Sequence, residues 1–218
     1  MTLARTSLLA GVAPLALLVA AGCCPSAPPA SINHHLSSPE DLDSIRRVVF
    51  IELPQEPGYA GIAEDTTVAM AEAIRARRLF RLDVIGRDDP ICETVMLESA
   101  EGFSMAQLRQ MRDTFHCDAI LLGRVRNFRP HPCMRVGLDL CLLDLRRGKP
   151  VWVVDHTWDT TDKVVEKRIK QYYCQQLKSG LEPMEWQIVT ISPQAFEKFV
   201  AFETAQTLRP LPPAELCE

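Results

Sequence analysis

Residues 45–160 predict an α/β (α+β) domain: a single mixed sheet of about five strands in the order β-α-β-α-β-β-β, with helices packed on it. Three observations lead there. In the first half, short β-branched runs alternate with amphipathic stretches free of helix breakers. Three strand-like segments then follow in quick succession, the last two joined by a Gly-containing turn. Beyond residue 160 the periodicity turns helical, which adds carboxy-terminal helices to the domain.

The first strand is Arg46–Leu53, RRVVFIEL, a β-branched and aromatic run closed by Pro54. After a Pro/Gly loop to Gly61, Thr66–Leu79 carries Val68, Ala69, Ala71, Ala73 and Ile74 without a breaker. This is a helix whose small residues let it approach a sheet closely. Phe80–Ile85 alternates Phe80, Leu82 and Val84 against Arg81, Asp83 and Ile85, giving a second strand. Asp88–Phe103 reads as a loop with a short helix around Val95–Ser99. Ser104 and Gln107 then form a capping box, and Leu108, Met111 and Phe115 make one apolar helical stripe, read as core.

The three consecutive strands are Asp118–Arg126, Met134–Leu145 and Val151–Thr160. In the second, Val136, Leu138, Leu140 and Leu142 alternate with Arg135, Gly137, Asp139 and Cys141, so one face is buried and the other mixed. Arg146-Arg147-Gly148-Lys149 is a tight turn with Gly at positive φ, and the third strand sets Trp152, Val154, His156 and Trp158 on one face. A helix through Val164, Val165, Ile169, Tyr172 and Tyr173 follows. Gly180–Pro193 is a break containing Trp186, and Ser192-Pro193 opens a last helix with Phe196, Phe199, Val200 and Leu208 before a Pro-rich tail.

Ahead of the domain, Arg5 precedes an uncharged run from Thr6 to Gly22, the layout of a secretory signal too short for a good spanning helix. Leu15–Cys23, LALLVAAGC, ends in a segment that resembles the bacterial lipoprotein box, with Ala20 where Leu or Val is usual. The resemblance implies cleavage before Cys23 and lipidation of its thiol, a membrane anchor through several acyl chains. Cys24 follows, and in the familiar sorting rule only Asp there strongly favours inner-membrane retention. An outer-membrane, periplasm-facing location is therefore expected. Residues 23–44, with CPSAPPASINHHLSSPEDLD, are poor in large apolar side chains and read as a flexible tether. The expected organisation is thus a signal peptide over 1–22, anchor and tether over 23–44, the domain over 45–160, and a helical extension with a Pro-rich tail over 161–218.

Removal of residues 1–22 leaves 196 residues and takes away one Arg, so 23 basic face 28 acidic residues and the net charge moves from −4 to −5. That balance excludes nothing about proteins or membranes, but gives nucleic-acid binding no support. Cys92, Cys117, Cys133, Cys141, Cys174 and Cys217 lie in an oxidising compartment on this reading; their pairing is open, and no CxxC motif marks a redox role.

The element order, together with RRVVFIEL, DAILLGRV at Asp118–Val125 and VGLDLCLLDLRRGKPVWVVD at Val136–Asp155, resembles the small α/β domain of envelope lipoproteins in the CsgG, LpoB, PelC and TolB amino-terminal-domain group. It covers about Arg46–Asp159. The resemblance implies a non-enzymatic, lipid-anchored periplasmic accessory that binds other envelope proteins in assembly, secretion or cell-wall regulation. Its alternative is a subunit of a homo-oligomeric outer-membrane export ring for polysaccharide or protein. The chain has one long hairpin, which the core needs, so a barrel pore made by this chain alone is not expected.

Catalytic motifs are absent from the sequence: there is no GxSxG, HExxH, Walker loop or SxxK. An envelope enzyme is accordingly the least supported class, and no cofactor is implied. Asp155, His156 and Asp159 share a strand, but sequence neighbours on a strand face opposite ways. His34-His35, His116-Cys117 and His131-Pro132-Cys133 lack zinc-site spacing, so no metal site is expected. Arg124, Arg126 and Arg129 form a small basic group, the candidate contact for a phosphate, an anionic glycan or an acidic partner.

Overall fold

The computed structural model describes residues 31–54, 59, 61–86, 89, 102–177 and 186–208. Cys23, Cys92, Cys217, the helix expected around Val95–Ser99 and the Pro-rich tail lie outside the described residues.

Residues 31–44, expected as the end of a flexible tether, are built into the fold. β1 (His34–Leu36) pairs antiparallel with the last strand of the sheet, and α1 (Pro39–Asp43) follows, capped by the Ser38 side chain with Pro39 in its first turn. Four well-spaced apolar residues hold this segment: Ile32 and Leu42 are buried, Leu36 packs against the core, and Ile45 is buried at the strand entry. Asp41 pairs with Arg147 across the hairpin turn, so an ion pair ties α1 to the sheet.

The sheet has six strands, one more than the sequence suggests, in the order β1-β6-β5-β4-β2-β3. β2 (Arg47–Ile51), β3 (Arg81–Ile85) and the start of β4 (Ala119–Arg129) are parallel; β4, β5 (Arg135–Asp144) and β6 (Lys149–Asp159) form an antiparallel meander. Asp118 fixes the join between the halves: its Oδ2 accepts from the N–H groups of Arg46 and Arg47 at 3.0 and 3.1 Å. β2 pairs only with Ala119–Leu121 of β4. The rest of β4 therefore borders the sheet on that side.

Strand alternation sends the two sheet faces to different fates. One face, with Val48, Phe50, Leu121, Val125, Leu138, Leu140, Leu142, Trp152, Val154 and Trp158, lies under α2 (Ile62–Ala76), α4 (Lys163–Tyr172), α5 (Ile188–Ile191) and α6 (Pro193–Gln206). α2 begins four residues before the expected Thr66, from Gly61 at φ 87°, so that Ile62 and Ala63 are buried too. α6 starts as its Ser192-Pro193 signal predicts, Ser192 Oγ accepting from the Ala195 N–H. Both tryptophans find buried acceptors: Trp152 Nε1 donates to Thr207 Oγ1 at 2.9 Å and Trp158 Nε1 to Glu203 Oε2 at 2.7 Å. Glu203 in turn lies 2.9 Å from Arg168 of α4, giving this deep carboxylate a cation.

The other face carries one helix among the described residues, α3 (Met105–Phe115). Its capping box is formed in both directions, Gln107 N–H to Ser104 Oγ and Ser104 N–H to Gln107 Oε1. The Leu108, Met111 and Phe115 stripe packs on Val49, Ile51, Ile120 and Leu145. Gly148 sits at φ 66° in the β5–β6 turn and faces Leu108, so hairpin and helix meet there.

Candidate functional site

α3 covers only the β2–β4 end of its face, leaving the β4–β6 end open among the described residues. The result is a concavity of about 850 Å³. Leu122 of β4, Cys141 and Leu143 of β5 and Val153 of β6 form its apolar floor, all half-buried, with Phe103 at the rim. The register makes this floor a row: Leu122 is opposite Cys141, and Cys141 opposite Val153.

A row of charges runs parallel to it, one pleat further along. Arg124 is opposite Asp139, and Asp139 is opposite Asp155. Like charges directly opposite on two strands repel, so this pair needs a cation. Arg126, two residues along β4 from Arg124, supplies it: its guanidinium lies 2.6 Å from Asp139 and also pairs with Asp155. Arg124 Nε donates to Asp139 Oδ2 at 2.8 Å. Arg124 and Arg126 thus share a face, as strand alternation requires, and both guanidiniums are engaged by carboxylates of neighbouring strands.

The two ends of the row stay accessible, with 65 % of the Arg124 side chain and 62 % of that of Asp155 exposed. Arg129 stands apart. A register irregularity falls between Arg126 and Arg129, with Asn127 at φ 52°, and Arg129 emerges exposed opposite Arg135 at the strand end. The three arginines are therefore two groups, not one patch.

Asp155 and His156 diverge as neighbours on a strand must. His156 lies on the helix-covered side, its ring 4.6 Å from Trp158 edge-on, and burial together with the charge of Arg168 lowers its pKa against the pull of Asp155. Asp159 is held by Arg135 and by Thr161, and its pKa is lowered by those contacts despite burial. Burial raises the pKa of the Cys141 thiol in the floor, so it acts there as a small apolar group. Cys117 is raised further, to about 11, by burial and by Asp118. Cys117, Cys133 and Cys141 are free thiols. Among the described residues no group of three or more His, Cys, Asp or Glu side chains is placed to hold a metal ion.

Such a surface offers an apolar floor beside a polarised rail. It suits recognition of another surface by burial and charge registry. The carboxylates Asp139 and Asp155 are the part that sequence reasoning missed: the register at the Gly148 turn alone would not set them opposite, and they meet because the β5–β6 ladder shifts between Leu142 and Leu143.

No protein-family profile matches this sequence, and no curated protein matches it. Among solved structures it is similar to the PelC dodecamer of Paraburkholderia phytofirmans, at 15 % identity and TM-score 0.39 for a point-substituted form, over 52 % of this chain and 71 % of that one. A second form of that dodecamer aligns at 13 % identity and TM-score 0.38 over 55 % of this chain and 76 % of that one. A lipoprotein of Neisseria meningitidis aligns at 12 % identity and TM-score 0.38, over 62 % of this chain and 99 % of that one. At such scores the likeness carries neither family nor function across.

Proposed function

We propose that the chain is a non-enzymatic, lipid-anchored protein of the periplasmic face of the outer membrane, and that it binds another envelope protein through the open β4–β6 face. The observation that carries the reading is the β4–β6 end of one sheet face, left open among the described residues, in a chain whose first 23 residues have the lipoprotein layout. The occupant is defined by complementarity. It presents an apolar side chain to Leu122, Cys141 and Val153, a carboxylate to the exposed guanidinium of Arg124, and a cation to Asp155. Acyl chains on Cys23 hold the domain at the membrane, where a partner is met at high local concentration.

The test is intact mass with membrane fractionation of the full-length protein beside Cys23→Ser, then mass photometry of detergent-extracted material. A lipid-sized increment lost in the variant, on a monomer, supports the tethered accessory. The same increment on a closed multimer assigns the chain to an export ring instead. Absence of any increment removes the anchor.

A further inference from the structure

Two glutamates of α6 are buried, and they differ in one respect. Glu203 has Arg168 and the Trp158 indole; Glu197, nearly two turns earlier and only 2 % exposed, has both carboxylate oxygens without a hydrogen-bond partner among the described residues. An unsatisfied buried carboxylate is among the costliest groups a fold can hold, so its retention needs a reason. Glu197 lines a pocket of about 240 Å³ between α2 and α6. Glu64, Asp65 and Glu72 of α2 stand exposed around it, and Lys198 of α6 is the one basic residue of its lining among the described residues. Val68 and Ala69 supply a short apolar wall. The site thus combines an excess of negative charge at the mouth, a buried bidentate acceptor at the floor and room for a slender apolar stem.

We propose that the α2–α6 pocket binds a guanidinium group, seated on the two oxygens of Glu197 and drawn in by Glu64, Asp65 and Glu72. A planar guanidinium presents paired N–H donors that match both carboxylate oxygens and is weakly hydrated, so it enters a buried site more readily than an ammonium. A metal ion fits poorly, because among the described residues the carboxylates around the pocket are not clustered for ligation. Arginine in a protein and a free guanidino compound share this chemistry. Burial and the charge of Asp65 hold the empty Glu197 carboxyl up at about 8. Occupation of the site therefore expels a proton below that pH: the Glu197 carboxylic acid loses its proton to solvent as the cation arrives.

The experiment is isothermal titration of the full-length, detergent-extracted protein with agmatine, with N-acetyl-arginine amide and with magnesium chloride, at pH 7 and 9 in buffers of different ionisation enthalpy. Saturable one-to-one binding of a guanidinium ligand is expected, with close to one proton released at pH 7 and affinity about tenfold tighter at pH 9. Glu197→Gln should weaken binding at least tenfold, and Asp65→Asn with Glu72→Gln several-fold. N-acetyl-arginine amide binding as tightly as agmatine identifies arginine in a protein as the source; a strong preference for agmatine identifies a free guanidino compound. Failure of both to bind, binding of magnesium in their place, wild-type affinity in Glu197→Gln, or binding without proton release overturns the proposal. Were Glu197→Gln not to fold, unchanged affinity in the Asp65/Glu72 double variant would do so.

Discussion

The two faces of the sheet are made by the same strands and differ in almost everything else. On the helix-covered face β5 offers Val136, Leu138, Leu140 and Leu142, all buried; on the other it offers Arg135, Asp139, Cys141 and Leu143, all half-exposed. Four helices close the first, while α3 closes only one end of the second among the described residues. The difference separates stability from the proposed recognition: substitutions on the covered face should unfold the protein, and on that proposal those on the open face should leave it folded and unable to bind.

The largest effect is expected from Trp158→Ala. It deletes a fully buried ring and strips the Glu203 carboxylate of its indole donor, for a loss of about 4 kcal/mol or more in chemical denaturation. Next comes Gly123→Ala. A Cβ there would lie 2.3 Å from the Asp139 carbonyl oxygen and 2.5 Å from a Leu140 methyl group, so β4 and β5 must separate, at about 1–3 kcal/mol.

Acidity sharpens the contrast inside the covered half. The Glu197 carboxyl is raised in the fold from 4.5 to about 8. Below 4.5 both states are protonated and the group is neutral to stability. Between 4.5 and 8 the unfolded chain gains by ionising while the folded one stays protonated, so stability falls as pH rises, and it levels off above 8. Denaturation midpoints should fall more, or rise less, across that window in the wild type than in Glu197→Gln. The difference between the two is the Glu197 contribution, since His156, whose pKa the fold lowers, acts in the opposite sense in both.

The smallest effect on stability belongs to the open face. Alanine at both Arg124 and Arg126 removes partly exposed ion pairs and leaves Asp139 facing Asp155 without its cation, and should shift stability by about 1 kcal/mol. The same variant should lose the partner in pull-downs. Unchanged capture would remove the charged rail from the binding surface.

Local signals made much of this architecture legible. The Ser104–Gln107 box, the Gly148 turn, the 136/138/140/142 alternation and the Ser192-Pro193 start all report contacts within a few residues, and each is formed as those signals predict. β1 and α1 escaped because a three-residue strand has no periodicity of its own. The partners of β1, Trp152–Val154, lie on β6, more than a hundred residues further along the chain, and offer their edge only once the meander is built. Glu197 escaped for a related reason. On sequence it is an ordinary helix glutamate, and only the packing of α6 on α2 buries it. The arginines were visible, but their carboxylates belong to a register that runs through the β4–β5 connection, which local sequence leaves open.

The most direct test of recognition through the open face is photocrosslinking in the host, with benzoylphenylalanine placed one position at a time at Leu122 and Val153, and at Val164, an exposed residue of α4 outside that face. The account predicts one discrete protein adduct from Leu122 and Val153, weakened by alanine at Arg124 and Arg126, and none from Val164. Equal adducts at all three positions, or none at Leu122 and Val153, would contradict it.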